Sequence, residues 1–207
     1  MARVKICGLT REEDVRGAAR AGAEFCGFLL AESPRRVSLE RGAELARQAR
    51  DEGLKTVAVL VNPNDAALTA IAAADAFDAI QLHGDEPPSR ALQAGRLTGT
   101  AVIKVLTGGS AAAEAYASVD GFLFDAPVKP GERRGGHGRA FDWDALDTSG
   151  VDKPWFLAGG LNPDNVAEAI SRTGAPAVDV SSGVEDAPGV KNADLMRWFV
   201  DAARQES

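Results

Sequence analysis

The chain is poor in the residues that most often announce a metal, a disulfide or export. Its 207 residues include two cysteines, Cys7 and Cys26, with no Cys-x-x-Cys pair. The two histidines, His83 and His137, lie far apart. No zinc-like spacing can be drawn from so few ligands, and no metal is expected. The opening residues MARVKICGLT lack the apolar core of a signal peptide. No apolar run approaches the length of a membrane span, so no membrane is expected either. Positive charge is also in deficit: 23 Lys and Arg against 30 Asp and Glu leave a formal charge of −7. Phosphate backbones select basic surfaces, which argues against nucleic acid as a partner. A small phosphorylated ligand needs only local donors and stays open. A cytoplasmic, reducing location fits these absences.

What is present is ordinary for a globular protein, with 45% hydrophobic and 26% charged residues. The length suits one domain with a sizeable core. No linker is visible, so residues 1–207 are read as one domain.

Short apolar runs alternate with longer amphipathic stretches. The runs are VKICGL (4–9), FCGFLL (25–30), KTVAVLV (55–61), AIQLHG (79–84), TAVIKVL (100–106), GFLFDA (121–126), WFLAGG (155–160) and AVDVSSG (177–183). Each is bounded by Gly, Pro or polar residues and reads as a strand. Helical patterns fall over 12–21, 38–51, 64–74, 86–95, 162–173 and 192–205. Ser38 precedes one of them, and Asn162–Pro163 sets proline at a first helical position. Strand alternating with helix implies a parallel sheet. Eight such units in this length match an α/β fold, a compact (β/α)8 TIM barrel of eight parallel strands. The alternative is an open doubly wound sheet, but the first strand ends Cys7–Gly8–Leu9, without a Gly-x-Gly-x-x-Gly turn.

Alternation along strands sorts the polar residues. Lys5 and Cys7 share a face, as do Gln81 and His83, and Asp179 and Ser181; Asp125 shares a face with Leu123. Lys104 opposes Ile103 and Val105. The helix-facing side of a barrel must be apolar, so this polar set, Lys104 included, is expected to point into the mouth. It reads either as a satisfied internal network or as a site, since buried polar groups are costly without partners. His83 and Ser181 are counted with the substrate-binding residues on this ground.

Several positions suggest chemistry. Gly159 and Gly160 close the seventh strand, and Ser181–Ser182–Gly183 closes the eighth. Barrel phosphate sites are commonly built from these two loops, whose glycines admit an anion to backbone N–H groups; tight turns are the plainer alternative. Cys7 is a candidate reactive thiol with Lys5 as a possible cationic neighbour, whereas Cys26 reads as inert packing. Asp125 ends an apolar run, where partial desolvation would keep a proton available. Alternatively it anchors a loop. Of Arg35 and Arg36, one suits bidentate binding of a carboxylate or phosphate, and the other reads as surface charge. Residues 126–140, APVKPGERRGGHGRA, follow the sixth strand and read as a lid or as a surface loop.

Taken in order, KICGLT (5–10), SPRRVS (33–38), VLVN (59–62), QLHGDE (81–86), LFDA (123–126), FDW (141–143), GGLNPDNV (159–166) and DVSSGVE (179–185) resemble the phosphoribosylanthranilate isomerase family. The resemblance spans almost the whole chain. It implies a (β/α)8 barrel, an Amadori rearrangement in tryptophan biosynthesis, a small phosphorylated substrate, no cofactor, and a monomer or homodimer. It makes Cys7 the match of the family's general base and Asp125 of its general acid. Arg36 matches the arginine that holds the anthranilate carboxylate. Gly160, Ser182 and Gly183 match phosphate-binding positions, with Asp179 beside them. One departure is the loop Gly135-Gly136-His137-Gly138-Arg139, where the family commonly has Gly-Gly-Ser/Thr-Gly-Lys. Two competitors are a metal-dependent barrel of the ribulose-phosphate 3-epimerase kind and a catalytically silent barrel acting as a scaffold. The first needs more histidine than this chain has, and the second would predict loss of Cys7 or Asp125.

Overall fold

The computed structural model describes residues 1–107, 109–125, 143 and 146–205. Eight parallel strands form a closed barrel in sequence order: β1 (Arg3–Cys7), β2 (Phe25–Leu29), β3 (Lys55–Leu60), β4 (Ala79–Leu82), β5 (Ala101–Leu106), β6 (Gly121–Phe124), β7 (Trp155–Leu157) and β8 (Ala177–Val180). β1 pairs with β8, which closes the sheet and rules out the open alternative. The candidate lid, including His137 and Arg139, lies outside the described residues.

The helices cover the barrel: α1 (Glu12–Ala21), α2 (Leu39–Asp51), α3 (Asp65–Ala74), α4 (Pro88–Thr98), α5 (Ser110–Glu114), α6 (Val166–Thr173) and α7 (Ala193–Arg204). Local chemistry fixes several starts. Ser38 caps α2 by accepting from the Arg41 N–H, and Asn64 caps α3 by accepting from Ala67. Gly22, Gly99 and Gly174 end α1, α4 and α6 in the left-handed conformation that suits glycine.

One sequence expectation is corrected here. Residues 162–165 form a turn instead of the first turn of α6. Asn162 Oδ1 accepts from Asp164, and Asn165 Oδ1 accepts from Asn162, so the side chains hold a local loop ahead of the helix. A small hairpin, β9 (Glu185–Ala187) with β10 (Val190–Lys191), also interrupts the path from β8 to α7.

Two apolar layers hold the barrel. Outward residues such as Val4, Ile6, Phe28, Ile80, Leu82 and Val178 pack against the helices. A separate cluster of Val57, Ala79, Ile103, Val105, Leu123, Phe156 and Ala177 fills the lumen, where Phe25 meets Phe156 edge-on. Each fully buried Leu, Ile, Val or Phe contributes about 1.5–3 kcal/mol. The lumen plug matters for function, because it closes one end and leaves polar side chains to gather at the other.

Lys104 does not join them. Ile103 and Val105 occupy the lumen, so Lys104 faces the helices. There its ammonium meets Glu86 Oε2 at 2.7 Å and donates to the Gly84 carbonyl at 2.6 Å. Glu86 in turn accepts from the N–H groups of Asn62 and Gly84. A charge on the outer parity is tolerated because every polar atom is paired.

Candidate active site

Strand register builds the mouth. Lys5 lies beside Asp179 across β1 and β8, and the two side chains leave the same face of the sheet. Their Nζ and Oδ1 atoms are 2.9 Å apart, with Lys5 fully buried. Cys7 lies beside Gly27 across β1 and β2. A Cβ at Gly27 would stand 2.7 Å from the Cys7 sulfur and 3.1 Å from Lys5 Nζ. The missing side chain therefore provides the space that sulfur and ammonium share. Nothing in the sequence pattern singled out Gly27; only the register with Cys7 reveals its use.

The electrostatics of this corner are mixed. Burial pushes the Cys7 thiol above its ordinary value, and Asp179 adds to the rise, while Lys5 and Lys191 oppose it. Lys5 is the possible cationic neighbour that the sequence offered for Cys7, and its charge pulls toward the thiolate. Burial outweighs that pull, and the net direction is upward. Burial alone would lower the Lys5 ammonium, but Asp179 and Cys7 more than offset this and hold it above the ordinary lysine range. Burial also pushes the Asp179 carboxyl up, against the pull of Lys5.

Across the mouth, Asp125 follows β6 and anchors its N–H on the Leu106 carbonyl. Its carboxyl oxygen lies 3.5 Å from His83 Nε2, and both side chains are about a third exposed. Behind them Gln81 Nε2 approaches His83 Nδ1 at 3.5 Å. Asp125 and His83 both act on the Asp179 carboxyl through space, which joins this side of the mouth to the Cys7 corner. Among the described residues, no three His, Cys, Asp or Glu side chains are grouped to hold a metal ion.

The loops after β7 and β8 meet at the rim. Gly159 and Gly160 adopt φ of 95° and 66°, which glycine permits without strain. Among the described residues their N–H groups donate to no protein acceptor. Gly183 serves a different need. A Cβ there would come within 2.0 Å of the Leu161 carbonyl oxygen, so glycine lets the two loops touch. Ser182 is exposed at this rim, and Ser181 is held by Lys191, whose Nζ donates to the Ser181 carbonyl at 3.0 Å.

The two arginines differ, and neither Arg35 nor its partner is plain surface charge. Arg35 donates two hydrogen bonds to Glu185, at 2.8 and 2.6 Å, and packs over Gly8. Glu185 also accepts from Lys191 at 2.7 Å. Arg36 is exposed, and its guanidinium has no partner among the described residues. It lines a cleft of about 370 Å³ with Leu30, Val37, Leu60 and Asn62. Sequence reasoning missed Glu185 and Lys191, because their hairpin carries no periodic signal.

Comparison with known proteins places the chain in a family. A family model described as N-(5'-phosphoribosyl)anthranilate (PRA) isomerase matches residues 4–202. A protein of that name from Hyphomonas neptunium is 46% identical, covering 99% of this chain and 98% of its own. The crystal structure of phosphoribosyl anthranilate isomerase from Thermotoga maritima is 32% identical, covers 99% of both chains and superposes with a TM-score of 0.81. A further phosphoribosyl anthranilate isomerase structure, also 32% identical over 99% of both chains with a TM-score of 0.77, was solved with reduced 1-(o-carboxyphenylamino)-1-deoxyribulose 5-phosphate. The chain thus belongs to the N-(5'-phosphoribosyl)anthranilate isomerase family, the isomerases of tryptophan biosynthesis.

Proposed function

We propose that Cys7 is the general base and Asp125 the general acid of this isomerase. Arg36 holds the anthranilate carboxylate. Gly159, Gly160, Ser181, Ser182 and Gly183 receive the phosphate, with His83 and Asp179 contacting the ribose between them. Asp125 protonates the ribose ring oxygen, and the ring opens to a Schiff base. The Cys7 thiolate then takes the C2′ proton, and the resulting enolamine becomes the ketone. Both steps are proton transfers, so the reaction calls for no cofactor. What supports this reading is that Cys7 ends β1 and Asp125 directly follows β6, both at the C-terminal ends of strands of one closed barrel.

The chain acts as one barrel domain over residues 1–207, in the cytoplasm, on a small phosphorylated substrate. A dimeric relative from Thermotoga maritima favours a homodimer over a monomer. Among the described residues, no helix is long and apolar enough to cross a membrane.

The test is Asp125→Asn, which keeps shape but removes the transferable proton. Consumption of freshly made phosphoribosylanthranilate, followed by fluorescence, should slow by a factor on the order of 10² or more. Affinity for the reduced product analogue should change little, because ground-state contacts remain. Normal turnover in this variant would make Asp125 a loop anchor and send the search for an acid to His83.

A further inference from the structure

The hairpin β9–β10 belongs to no strand–helix unit of the barrel, yet its polar atoms reach three loops of the mouth. Glu185 is its centre. The carboxylate accepts from Arg35 at 2.8 and 2.6 Å, from Lys191 Nζ at 2.7 Å and from the Gly189 N–H at 3.2 Å. Lys191 Nζ also donates to the Ser181 carbonyl at 3.0 Å, in the loop after β8. On the other side the Thr10 hydroxyl, in the loop after β1, donates to the Gly189 carbonyl at 2.6 Å. The Glu185 and Lys191 side chains are 4% and 0% exposed. Burial alone would raise the Glu185 carboxyl, but Arg35 and Lys191 hold it below its ordinary value, so it is charged at neutral pH. The same three loops close over Gly8, where a Cβ would stand 2.6 Å from Arg35 Cδ and 3.0 Å from Ser181 Oγ.

We infer that Glu185 is a positioning residue that fixes the loop carrying Arg36 against the loop of Ser181, Ser182 and Gly183, so that both anionic ends of one substrate are gripped at a preset spacing. The inference rests on the reading that Arg36 takes the carboxylate and the β8 loop the phosphate. Arg35 is the chain neighbour of Arg36, and its two-pronged bond to Glu185 fixes direction as well as distance. The Arg36 backbone is itself set, since its N–H donates to the Ser33 carbonyl and it bridges to Leu29. Lys191 then carries the same carboxylate's hold to Ser181. Arg35 thus occupies Glu185 and leaves the Arg36 guanidinium to a ligand. Buried ion pairs stabilise little beyond apolar packing of equal volume, which leaves fixed geometry as what this cluster offers. A ligand with two anions gains from preset spacing, whereas a ligand with one does not.

Glu185→Gln in the full-length enzyme tests this with two inhibitors. Reduced 1-(o-carboxyphenylamino)-1-deoxyribulose 5-phosphate carries both anions, and inorganic phosphate carries one. Gln keeps the size of Glu185 but leaves Arg35 and Lys191 without their shared charge. The rim becomes more positive, so charge alone would tighten both inhibitors. Lost alignment acts the other way, and only on the two-ended analogue. The ratio of the analogue's inhibition constant to that of phosphate should rise about tenfold, part of the advantage of linking two binding events. An unchanged or lower ratio would overturn the inference. A variant that is merely less stable has fewer active molecules, which lowers turnover and moves neither constant. If Glu185→Gln does not fold, Lys191→Met replaces it, because Glu185 then keeps its bonds from Arg35 and only the link to Ser181 is cut. Its lost charge weakens the phosphate contact of both inhibitors alike, so the ratio should again rise, and a constant ratio would overturn the inference. The assignment of the two ends is read separately from Arg36→Ala, which should weaken the analogue and spare phosphate. An analogue unaffected by Arg36→Ala would overturn that assignment, and the inference with it, whatever Glu185→Gln shows.

Discussion

Replacing Lys104 with Met should be among the most damaging single changes outside the mouth. The side chain sits behind β5, where Lys104 and Glu86 are 3% and 1% exposed. Met fills most of the volume, so packing is largely kept. What is lost is the partner of a buried carboxylate and the bond to the Gly84 carbonyl. Breaking a buried pair this way costs about 3–5 kcal/mol. The loss should depend on pH. Burial alone would raise the Glu86 carboxyl, but Lys104 and the backbone N–H bonds hold it below its ordinary value. A carboxyl with a depressed folded pKa stabilises the protein above its unfolded value, near 4.3, and loses that contribution as pH falls through the folded one. In Lys104→Met the main opposing influence is gone, burial lifts the carboxyl, and the group can protonate instead of staying charged and alone. The gap between variant and wild type should therefore be widest at pH 7 and narrow toward pH 5. Urea unfolding followed by both tryptophan fluorescence and circular dichroism measures it, and coincident curves justify a two-state analysis. A loss below about 1 kcal/mol at pH 7, or a gap that does not change with pH, would refute the reasoning, since only surface pairs are worth so little.

Other substitutions test the rim. Gly183→Ala forces a Cβ against the Leu161 carbonyl oxygen at 2.0 Å, so the two loops must part. Inhibition by inorganic phosphate should weaken and stability should fall by about 1–3 kcal/mol, as for overpacking; unaltered inhibition would move the anion site elsewhere. Arg36→Ala should raise KM by the equivalent of about 1.5–3 kcal/mol while leaving urea stability alone, because its guanidinium holds nothing among the described residues. Arg35→Ala should do the reverse in degree, lowering stability through the loss of its bidentate bond to Glu185. A KM effect confined to Arg35→Ala would exchange the two roles.

Much of this fold can be read from residue patterns because the barrel repeats one rule eight times. Apolar runs between amphipathic stretches locate every barrel strand to within a few residues, and the Ser38 cap marks a helix start from the sequence alone. The inward set Lys5, Cys7, Gln81, His83, Asp125 and Asp179 also follows from alternation, because each shares its face with a residue at the barrel mouth. Alternation fails at Lys104 for a definite reason. In AVIKVL both faces are apolar apart from one lysine, so the pattern cannot tell which parity meets the helices. The answer lies in Glu86, a residue 18 positions away that is met only across the fold. Gly27 is silent for the same reason, and so is the steric use of Gly183. Their value is the absence of a Cβ beside a sulfur or a carbonyl contributed by another strand or loop. Asn162–Pro163 misleads because asparagine side chains that cap helices also close turns. The balance of burial against charge at Cys7 is likewise a property of the assembled mouth.

The central claim is that the Cys7 sulfur does the chemistry, and the chain carries its own control in Cys26. Both cysteines are buried, but Cys7 faces the mouth and Cys26 the helices. Turnover of phosphoribosylanthranilate by Cys7→Ala and Cys26→Ala, measured by fluorescence on folded protein, compares them directly. Cys7→Ala should lose a factor on the order of 10² or more, as expected for a positioned base, while Cys26→Ala should turn over near the wild-type rate. Near-normal turnover by Cys7→Ala would contradict the account.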